Sequence, residues 1–309
     1  MINVGVIGVG YLGQHHARIF SELARECGHI RLAAVADTDK ARAAEIAQQY
    51  GCEAFGDYRD AFGAVDAFSI VTPTTLHYKI AMDCIEAGKD ILIEKPITTT
   101  IEEADELIRA SGNAGVLIQI GHLERFNPVI TAVQPLLDAP TFIEAERLSP
   151  FQGRGIDVDI TIDLMIHDID IVLSLLDGKP VSGIRAAGTR VLTGNIDFAK
   201  AWLEFDGTHA LFTASRISSG KSRKLTIFQE ESYLVVDYQD MEIKRFFRDG
   251  DTIRHESMSV VRKEPLKEEL RDFMECIGKR SRPRVCAIKG RNALKVALQI
   301  GEQIKQGWV

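Results

Sequence analysis

The sequence is poor in several features that identify whole classes of protein. It has five cysteines in 309 residues, with no Cys-x-x-Cys pair and no histidine at a spacing typical of metal ligands. We therefore expect reduced thiols and no metal site. The cysteines are Cys27, Cys52, Cys84, Cys276 and Cys286.

The charge and the lack of long apolar runs exclude further classes. Acidic residues (44) outnumber basic residues (37), so the net charge of −7 opposes binding to nucleic acid. No window holds 18 uncharged apolar residues, and the N-terminus lacks the basic and apolar segments of a secretion signal. We expect a cytoplasmic protein with neither a nucleic-acid nor a membrane partner.

A short apolar strand that ends in a lysine provides the first candidate for chemistry. Ile91, Leu92 and Ile93 form a run typical of a parallel strand that is buried on both faces. Lys95 follows at its carboxyl end, where open α/β sheets bind ligands, and Pro96 comes directly after it. An exposed loop lysine is the alternative, and this stretch alone does not decide between the two.

A glycine-rich turn opens the chain. Apolar residues 2–7 lead into GVGYLG at positions 8–13, and a helical pattern follows. Between a strand and a helix, this motif is typical of dinucleotide binding. Gly8 permits the turn, Gly10 lets a pyrophosphate approach and Gly13 lets the helix pack closely. The helix N-terminus offers N–H groups to phosphates, and we interpret His16 on this helix as a packing or supporting residue.

An acidic residue follows the second predicted strand. Asp37 lies 24 positions after Gly13, where a carboxylate can accept hydrogen bonds from the adenosine ribose and repel a 2′-phosphate. This favours NAD over NADP, although Lys40 and Arg42 are close enough in sequence to weaken the preference. The alternative role for Asp37 is to cap the helix that begins near Lys40.

The first 121 residues alternate predicted strands and helices with short links, which indicates a doubly wound parallel sheet. Five groups of unusual residues then fall at carboxyl ends of strands, on one edge of this sheet. They are Gly8–Gly13, Asp37, Thr72–Thr74, Glu94–Pro96 and Gly121–His122. We predict a first domain over residues 1–121 and a second over residues 122–309.

The second half has a different pattern. A helical spacing over Asp163–Leu176 places Asp163 and His167 four residues apart on one face, which Asp170 continues. A core hydrogen bond between Asp163 and His167 and an imidazole general base oriented by a carboxylate are both open interpretations. Runs between Val181 and Glu256 indicate a meander of antiparallel strands, and two amphipathic helices, Leu266–Ile277 and Ala293–Ile304, close the chain.

Together, the glycine turn, Thr72-Pro73, Glu94-Lys95-Pro96 and the Asp163/His167 pair resemble the glucose–fructose oxidoreductase / inositol dehydrogenase / rhizopine-catabolism (Gfo/Idh/MocA) family over essentially the whole chain. The resemblance implies an α/β fold, with an N-terminal NAD-binding Rossmann domain and a C-terminal α+β domain. The second domain would have an open, mostly antiparallel sheet, and would serve substrate binding and assembly into a homodimer or homotetramer.

The resemblance also implies roles for individual residues. Lys95 reaches the nicotinamide and the substrate, the Lys–Pro bond is often cis, and Asp163 with His167 handles the proton. Cofactor binding is assigned to Gly8, Gly10, Tyr11, Leu12, Gly13, Asp37, Thr72, Pro73, Thr74, His77, Glu94 and Lys95. Substrate or diphosphate contacts are assigned to His122, Arg125, Asn127 and Arg154, with structural roles as the alternative for Arg125 and Asn127.

The segments at residues 121–128 and 163–170 resemble a branch of this family whose members oxidise carbon 3 of UDP-N-acetylglucosamine to a 3-keto sugar nucleotide. We therefore expect an NAD-dependent sugar dehydrogenase. Oxidation of a free sugar, inositol or other polyol is the first alternative. A dinucleotide-binding regulatory sensor without catalysis is the second, and the presence of both Lys95 and His167 argues against it.

Overall fold

The computed structural model of the protein describes residues 1–153 and 158–307. The chain forms two compact units. The first contains residues 1–123 and 264–291, and the second contains residues 124–263 and the chain from residue 292 onward.

The first unit is built on a six-stranded sheet. Its strands are β1 (Ile2–Ile7), β2 (Ile30–Ala36), β3 (Glu53–Phe55), β4 (Ala67–Ile70), β5 (Asp90–Glu94) and β6 (Ile118–Gly121). They lie in the order β3-β2-β1-β4-β5-β6, and every pair is parallel. The strand order therefore reverses between β1 and β4, which is where ligands bind in doubly wound sheets. The predicted parallel sheet is confirmed.

Helices alternate with these strands. They are α1 (Gly13–Cys27), α2 (Lys40–Tyr50), α3 (Thr74–Glu86) and α4 (Ile101–Ala114). Thr100 and Glu103 form a capping box that fixes the start of α4. Strand β5 is buried along its whole length, with Ile91, Leu92 and Ile93 fully inaccessible. Burial of each of these side chains contributes about 1.5–3 kcal/mol, so the strand that precedes Lys95 is firmly held.

The second unit is built on an eight-stranded sheet. Its strands are β7 (Phe142–Leu148), β8 (Gly183–Thr189), β9 (Phe198–Phe205), β10 (Thr208–Ser215), β11 (Ser222–Gln229), β12 (Ser232–Asp237), β13 (Glu242–Asp249) and β14 (Thr252–Ser259). The sheet is mostly antiparallel, as expected, but it is not a simple meander. Strand β7 lies between β10 and β11 and pairs with β10 in parallel. Parallel neighbours need a long crossover, which the segment between β7 and β8 helps to supply.

The predicted helix Asp163–Leu176 divides in the structure. A π-helical turn covers Thr161–Met165, and α6 (Ile166–Leu175) follows it. Helix α5 (Pro128–Val133) is short and gives way to a 3-10 turn. No helix within residues 1–153 and 158–307 is long and apolar enough to cross a membrane.

The last two helices correct the predicted domain division. Helix α7 (Pro265–Lys279) belongs to the first unit, and α8 (Ala287–Gln306) passes into the second unit at residue 292. Helix α7 joins the first unit because its apolar face completes that unit's core. Leu270, Phe273 and Met274 are buried in one cluster with residues of β1 and α1. The first unit therefore needs a segment that a boundary at residue 121 would remove.

Candidate active site

The three glycines of the turn after β1 differ in the space around them. Gly8 has a φ of +84°, and a Cβ there would lie 2.5 Å from the carbonyl oxygen of Val71. A Cβ on Gly13 would overlap the carbonyl oxygen of Gly8. Around Gly10, a Cβ would meet no described atom within 4 Å. The turn is therefore tightly packed at both ends and open in the middle, as a bound pyrophosphate requires.

The start of α1 is also suited to an anion. Within the described residues, the side chain of the N-cap residue, Leu12, caps no N–H group of α1. The first turn of α1, as described, contains no acidic residue. By contrast, α2 is capped by Asp39 and α4 by Thr100. The N–H groups of Gln14 and His15 donate to the carbonyl oxygens of Gly10 and Leu12. The start of α1 therefore suits a ligand phosphate through its partial positive charge, which no acidic side chain of the described first turn offsets.

Asp37 ties the end of β2 to the glycine turn. Its Oδ2 accepts a hydrogen bond from the Val9 N–H at 2.8 Å, and its Oδ1 accepts one from the Asp39 N–H at 2.9 Å. The alternative role as helix cap falls to Asp39, whose Oδ1 accepts from Ala41 and Arg42. A carboxylate has about four acceptor positions, so each oxygen of Asp37 can still accept a ribose hydroxyl.

The guanidinium of Arg42 contacts three other residues of the protein. Its Nε donates to the carbonyl oxygen of Val9 at 3.1 Å, and its Nη2 donates to Gln14 Oε1 at 2.8 Å. Its Nη1 lies 2.7 Å from Glu45 Oε2. These contacts compete with any 2′-phosphate for the guanidinium, so the environment of Asp37 favours NAD.

His77 connects the two loops that follow β4 and β5. The imidazole is buried, with Nδ1 2.9 Å from the carbonyl oxygen of Pro96 and Nε2 2.9 Å from that of Thr72. Burial lowers the pKa of His77 and outweighs the two carbonyl contacts, so the neutral ring donates to one carbonyl at a time. His77 thus holds the Thr72-Pro73 turn close to the Lys95-Pro96 bond, which is cis.

Glu94 contacts both the backbone of Lys95 and the side chain of His16. The Lys95 N–H donates to Glu94 Oε2 at 3.3 Å, while Glu94 Oε1 lies 3.2 Å from His16 Nε2. The other ring nitrogen of His16 lies 2.8 Å from Ser69 Oγ. His16 is fully buried, so it packs beneath the site as predicted. The carboxyl edge of the sheet therefore brings together the glycine turn, Asp37, Thr72, His77, Glu94 and Lys95 in one unit.

In the second unit, Asp163 lies in the π-helical turn and His167 is the second residue of α6. Both side chains are partly exposed. They are four positions apart across the junction of the two helical forms, so they remain on one side of the chain. The pairing of an imidazole with a carboxylate stays a prediction.

The residues assigned to substrate have different surroundings. His122 is buried after β6, and Arg154 lies outside the described residues. Arg125 Nη1 lies 3.5 Å from Asp170 Oδ1, with both side chains buried. Asn127 caps α5 by accepting from the Val129 N–H at 3.2 Å and donates to Glu124 Oε2 at 3.2 Å. These contacts support the structural alternative for Arg125 and Asn127.

The structure also shows a buried group that the sequence patterns did not indicate. Arg147, on β7, donates to both carboxylate oxygens of Asp168 and to Glu124. A signal was present, because β7 buries every second residue and Arg147 has the same parity as Ile143 and Ala145. An arginine at an inward position of an alternating strand predicts a buried acidic partner.

Comparison with known proteins agrees with this arrangement. The profile of an oxidoreductase family with an NAD-binding Rossmann fold, Gfo/Idh/MocA, matches residues 2–122, and the profile of the Gfo/Idh/MocA C-terminal domain matches residues 142–235. The chain belongs to the Gfo/Idh/MocA family. It is an oxidoreductase, and its cofactor is NAD.

Relatives within the family match over almost the whole chain. UDP-N-acetylglucosamine 3-dehydrogenase from Acidithiobacillus ferrooxidans is 37% identical, covering 97% of this chain and 96% of its own. A solved structure of that enzyme has a TM-score of 0.93 and 35% identity, covering 99% of this chain and 98% of its own. scyllo-Inositol 2-dehydrogenase (NAD(+)) from Bacillus subtilis is 27% identical, covering 99% of this chain and 95% of its own.

Proposed function

We propose that the protein oxidises the secondary alcohol at carbon 3 of UDP-N-acetylglucosamine to the ketone, with NAD as hydride acceptor. The observation that carries the proposal is the 37% identity to a UDP-N-acetylglucosamine 3-dehydrogenase over 97% of this chain and 96% of the relative. The match extends through both units, so it includes the second unit, to which we assign substrate binding.

The proposed mechanism divides the work between the two units. His167 accepts the proton of the sugar hydroxyl, and Asp163 orients the imidazole and stabilises its charged form. Lys95 donates a hydrogen bond to the reacting oxygen and stabilises the negative charge that develops on it. When bound, NAD supplies the electrophilic carbon that accepts the hydride. Glu94 and His77 hold the loop of Lys95 in place.

The proposed residues that hold NAD are those at the carboxyl edge of the first sheet. The pyrophosphate would lie against Gly10 and the N-terminus of α1, where Tyr11 and Leu12 complete the turn. Asp37 would bind the ribose, and Thr72, Pro73, Thr74 and Lys95 would lie near the nicotinamide. His122 and Arg154 are proposed substrate contacts, with Arg125 and Asn127 as weaker candidates because the protein already engages both.

Absorbance of reduced nicotinamide tests this function directly. Purified protein is mixed with NAD and UDP-N-acetylglucosamine, with and without a 3-aminotransferase and an amino donor that remove the ketone. We expect NAD reduction that increases when the aminotransferase is present, and less reduction when NADP replaces NAD. No signal with this substrate would overturn the substrate assignment.

A free polyol is the second candidate substrate, favoured by the 27% identity to scyllo-inositol 2-dehydrogenase over 99% of this chain. Parallel reactions with N-acetylglucosamine, myo-inositol and scyllo-inositol separate the candidates. NAD reduction with a polyol but not with the sugar nucleotide would favour this second function.

We also propose that the chain forms a homodimer or homotetramer through the eight-stranded sheet. Aromatic rings run across the sheet from strand to strand, with centroid distances of 4.5–6.0 Å between neighbours. The rings are Trp202, Phe142, Phe228, Tyr233 and Phe246. A second copy would cover this row by twofold symmetry. Light scattering of wild type and of Tyr233→Glu tests this: we expect an oligomer that the charge dissociates, and a monomeric wild type would overturn it.

A cytoplasmic location is proposed as well, supported by five free cysteines and by the NAD cofactor. Fractionation of the source cells with an antibody to the protein checks it.

A further inference from the structure

The start of α6, which carries the proposed general base, is a junction between two helical forms. His167 is the second residue of α6, directly after a π-helical turn. Among the described residues, the N-cap position, Met165, gives α6 no side-chain cap. The backbone stays helical across this junction, so the question for α6 is which tertiary contacts set its position.

One of the tertiary contacts of α6 is made by Arg147. Its Nε lies 2.7 Å from Asp168 Oδ2 and its Nη2 lies 3.0 Å from Asp168 Oδ1. The guanidinium therefore donates hydrogen bonds to both carboxylate oxygens of Asp168, the residue that follows His167. Arg147 and Asp168 are 3% and 2% exposed. Strand β7 lies inside the sheet between β10 and β11, so Arg147 projects from a rigid support.

The opposite side of Arg147 is also fixed. Its Nη1 lies 3.0 Å from Glu124 Oε1, and Glu124 in turn accepts from Asn127 and lies 3.7 Å from Arg223. Burial lowers the pKa of Arg147, but the charges of Asp168 and Glu124 outweigh it and raise that pKa above its usual value. The guanidinium is therefore a permanent cation held between two carboxylates.

We infer that Arg147 is a positioning residue. Held by its contact with Glu124, it fixes the position and rotation of α6 through Asp168, and thereby the orientation of the His167 imidazole. A buried ion pair contributes little stability compared with apolar packing, whereas two parallel hydrogen bonds define a distance and a plane. The inference rests on the proposed role of His167. It also gives Glu124 and Asp168, both within the segments that resemble the sugar-nucleotide branch, a common purpose.

Two variants test the inference. Arg147→Lys keeps the positive charge but loses the bidentate hydrogen bonds to Asp168, and Asp168→Asn keeps the size of the side chain but loses its charge. For both we expect kcat to fall at least tenfold while the Kd for NAD changes less than twofold. The deuterium isotope effect on kcat, with substrate deuterated at the oxidised carbon, should rise because a misaimed base makes the chemical step limiting.

Asp90→Asn is the matched control. Asp90 is 7% exposed, lies 2.5 Å from Arg280 and accepts from the Leu117 N–H at 2.8 Å, so its substitution breaks the ion pair of a buried carboxylate with a half-exposed arginine. It begins β5, whereas Lys95 follows the other end of that strand. We expect a lower melting temperature for Asp90→Asn with kcat and isotope effect unchanged. If Arg147→Lys lowers the melting temperature but leaves kcat and the isotope effect unchanged, as expected for this control, the inference is overturned.

Hydrogen exchange provides a readout that needs no substrate. In Arg147→Lys, peptides covering residues 161–170 should exchange at least tenfold faster, with peptides of β9 and β10 unchanged. Uniformly faster exchange, or none, would overturn the inference. Failure of wild type to oxidise UDP-N-acetylglucosamine would count against the proposed substrate alone, because this measurement does not depend on it.

Discussion

The two sheets of this protein carry their proposed functional residues in different ways. In the parallel sheet, the candidates lie in loops at the carboxyl ends of strands that are themselves buried. In the mostly antiparallel sheet, they lie on a π-helical turn and a helix, and Arg147 fixes that helix from an inward position of β7. The first arrangement follows from chain order alone, whereas the second depends on side chains that meet only after folding.

The largest expected effect tests whether the loop after β5 is catalytic. Lys95→Met should lower kcat by about a hundredfold to a thousandfold, because it removes a donor to the developing negative charge. The Kd for NAD should stay within about threefold. Lys89→Met is the control, since Lys89 precedes β5 and donates to the carbonyl oxygen of Val65 at 2.9 Å. Near-normal steady-state turnover of Lys95→Met would move the catalytic residues out of the first sheet.

The next prediction separates ligand space from packing space in the glycine turn. Gly13→Ala should cost about 1–3 kcal/mol of unfolding free energy, because its Cβ would overlap the carbonyl oxygen of Gly8. Gly10→Ala should leave stability within about 0.5 kcal/mol, because its Cβ enters open space, yet weaken NAD at least about tenfold. Urea unfolding and fluorescence titration with NADH measure both, and unchanged NADH affinity in Gly10→Ala would contradict the assigned pyrophosphate position.

A third prediction concerns stability in the second unit. Asp197 is buried, which raises its pKa, but hydrogen bonds from Thr193, Val191 and Leu192 outweigh burial and lower it to about 2. A depressed carboxyl pKa stabilises the fold above pH 4, and this contribution disappears as the pH falls through about 2. Asp197→Asn should therefore lose about 2 kcal/mol at pH 7 and almost nothing near pH 2.

Urea unfolding at both pH values checks this, with Asp206→Asn as an exposed control. A loss that is equal at pH 7 and pH 2 would show that the charge of Asp197 is not the cause.

The smallest expected effect concerns the choice of cofactor in the first unit. Asp37→Asn removes the charge that repels a 2′-phosphate but keeps an acceptor for the Val9 N–H. We expect the preference for NADH over NADPH to fall about tenfold, measured as the ratio of the two dissociation constants. Asp39→Asn, which should retain the cap of α2, leaves that ratio unchanged. An unaltered preference in Asp37→Asn would assign selectivity to other residues.

Sequence patterns predicted the first sheet well because its signals are local. Continuous apolar runs, a glycine turn and an acid after β2 each identify a strand end without reference to distant residues. The second sheet was predicted only in outline. The position of β7 between β10 and β11 depends on a crossover, and alternation along one strand does not specify its neighbours.

The candidate site shows the same limit. The loops that carry Asp37 and Lys95 were predicted at the sheet edge where the structure has them, but the contacts of Asp37 with Val9 and of His77 with two carbonyls were not. The Glu124–Arg147–Asp168 cluster joins positions 23 and 21 residues apart, and no spacing rule connects them. Such networks follow from three-dimensional packing, which local periodicity does not contain.

The return of α7 to the first unit has a consequence for how the protein is made. The core of the dinucleotide-binding unit includes Leu270, Phe273 and Met274, so it is complete only after that part of the chain has emerged from the ribosome. Residues 1–123 must wait, with part of their apolar surface open, while the whole second sheet is synthesised. The nascent chain therefore carries an incomplete nucleotide-binding unit while residues 124–263 are synthesised, and a gene truncated after residue 121 would encode a fragment without α7.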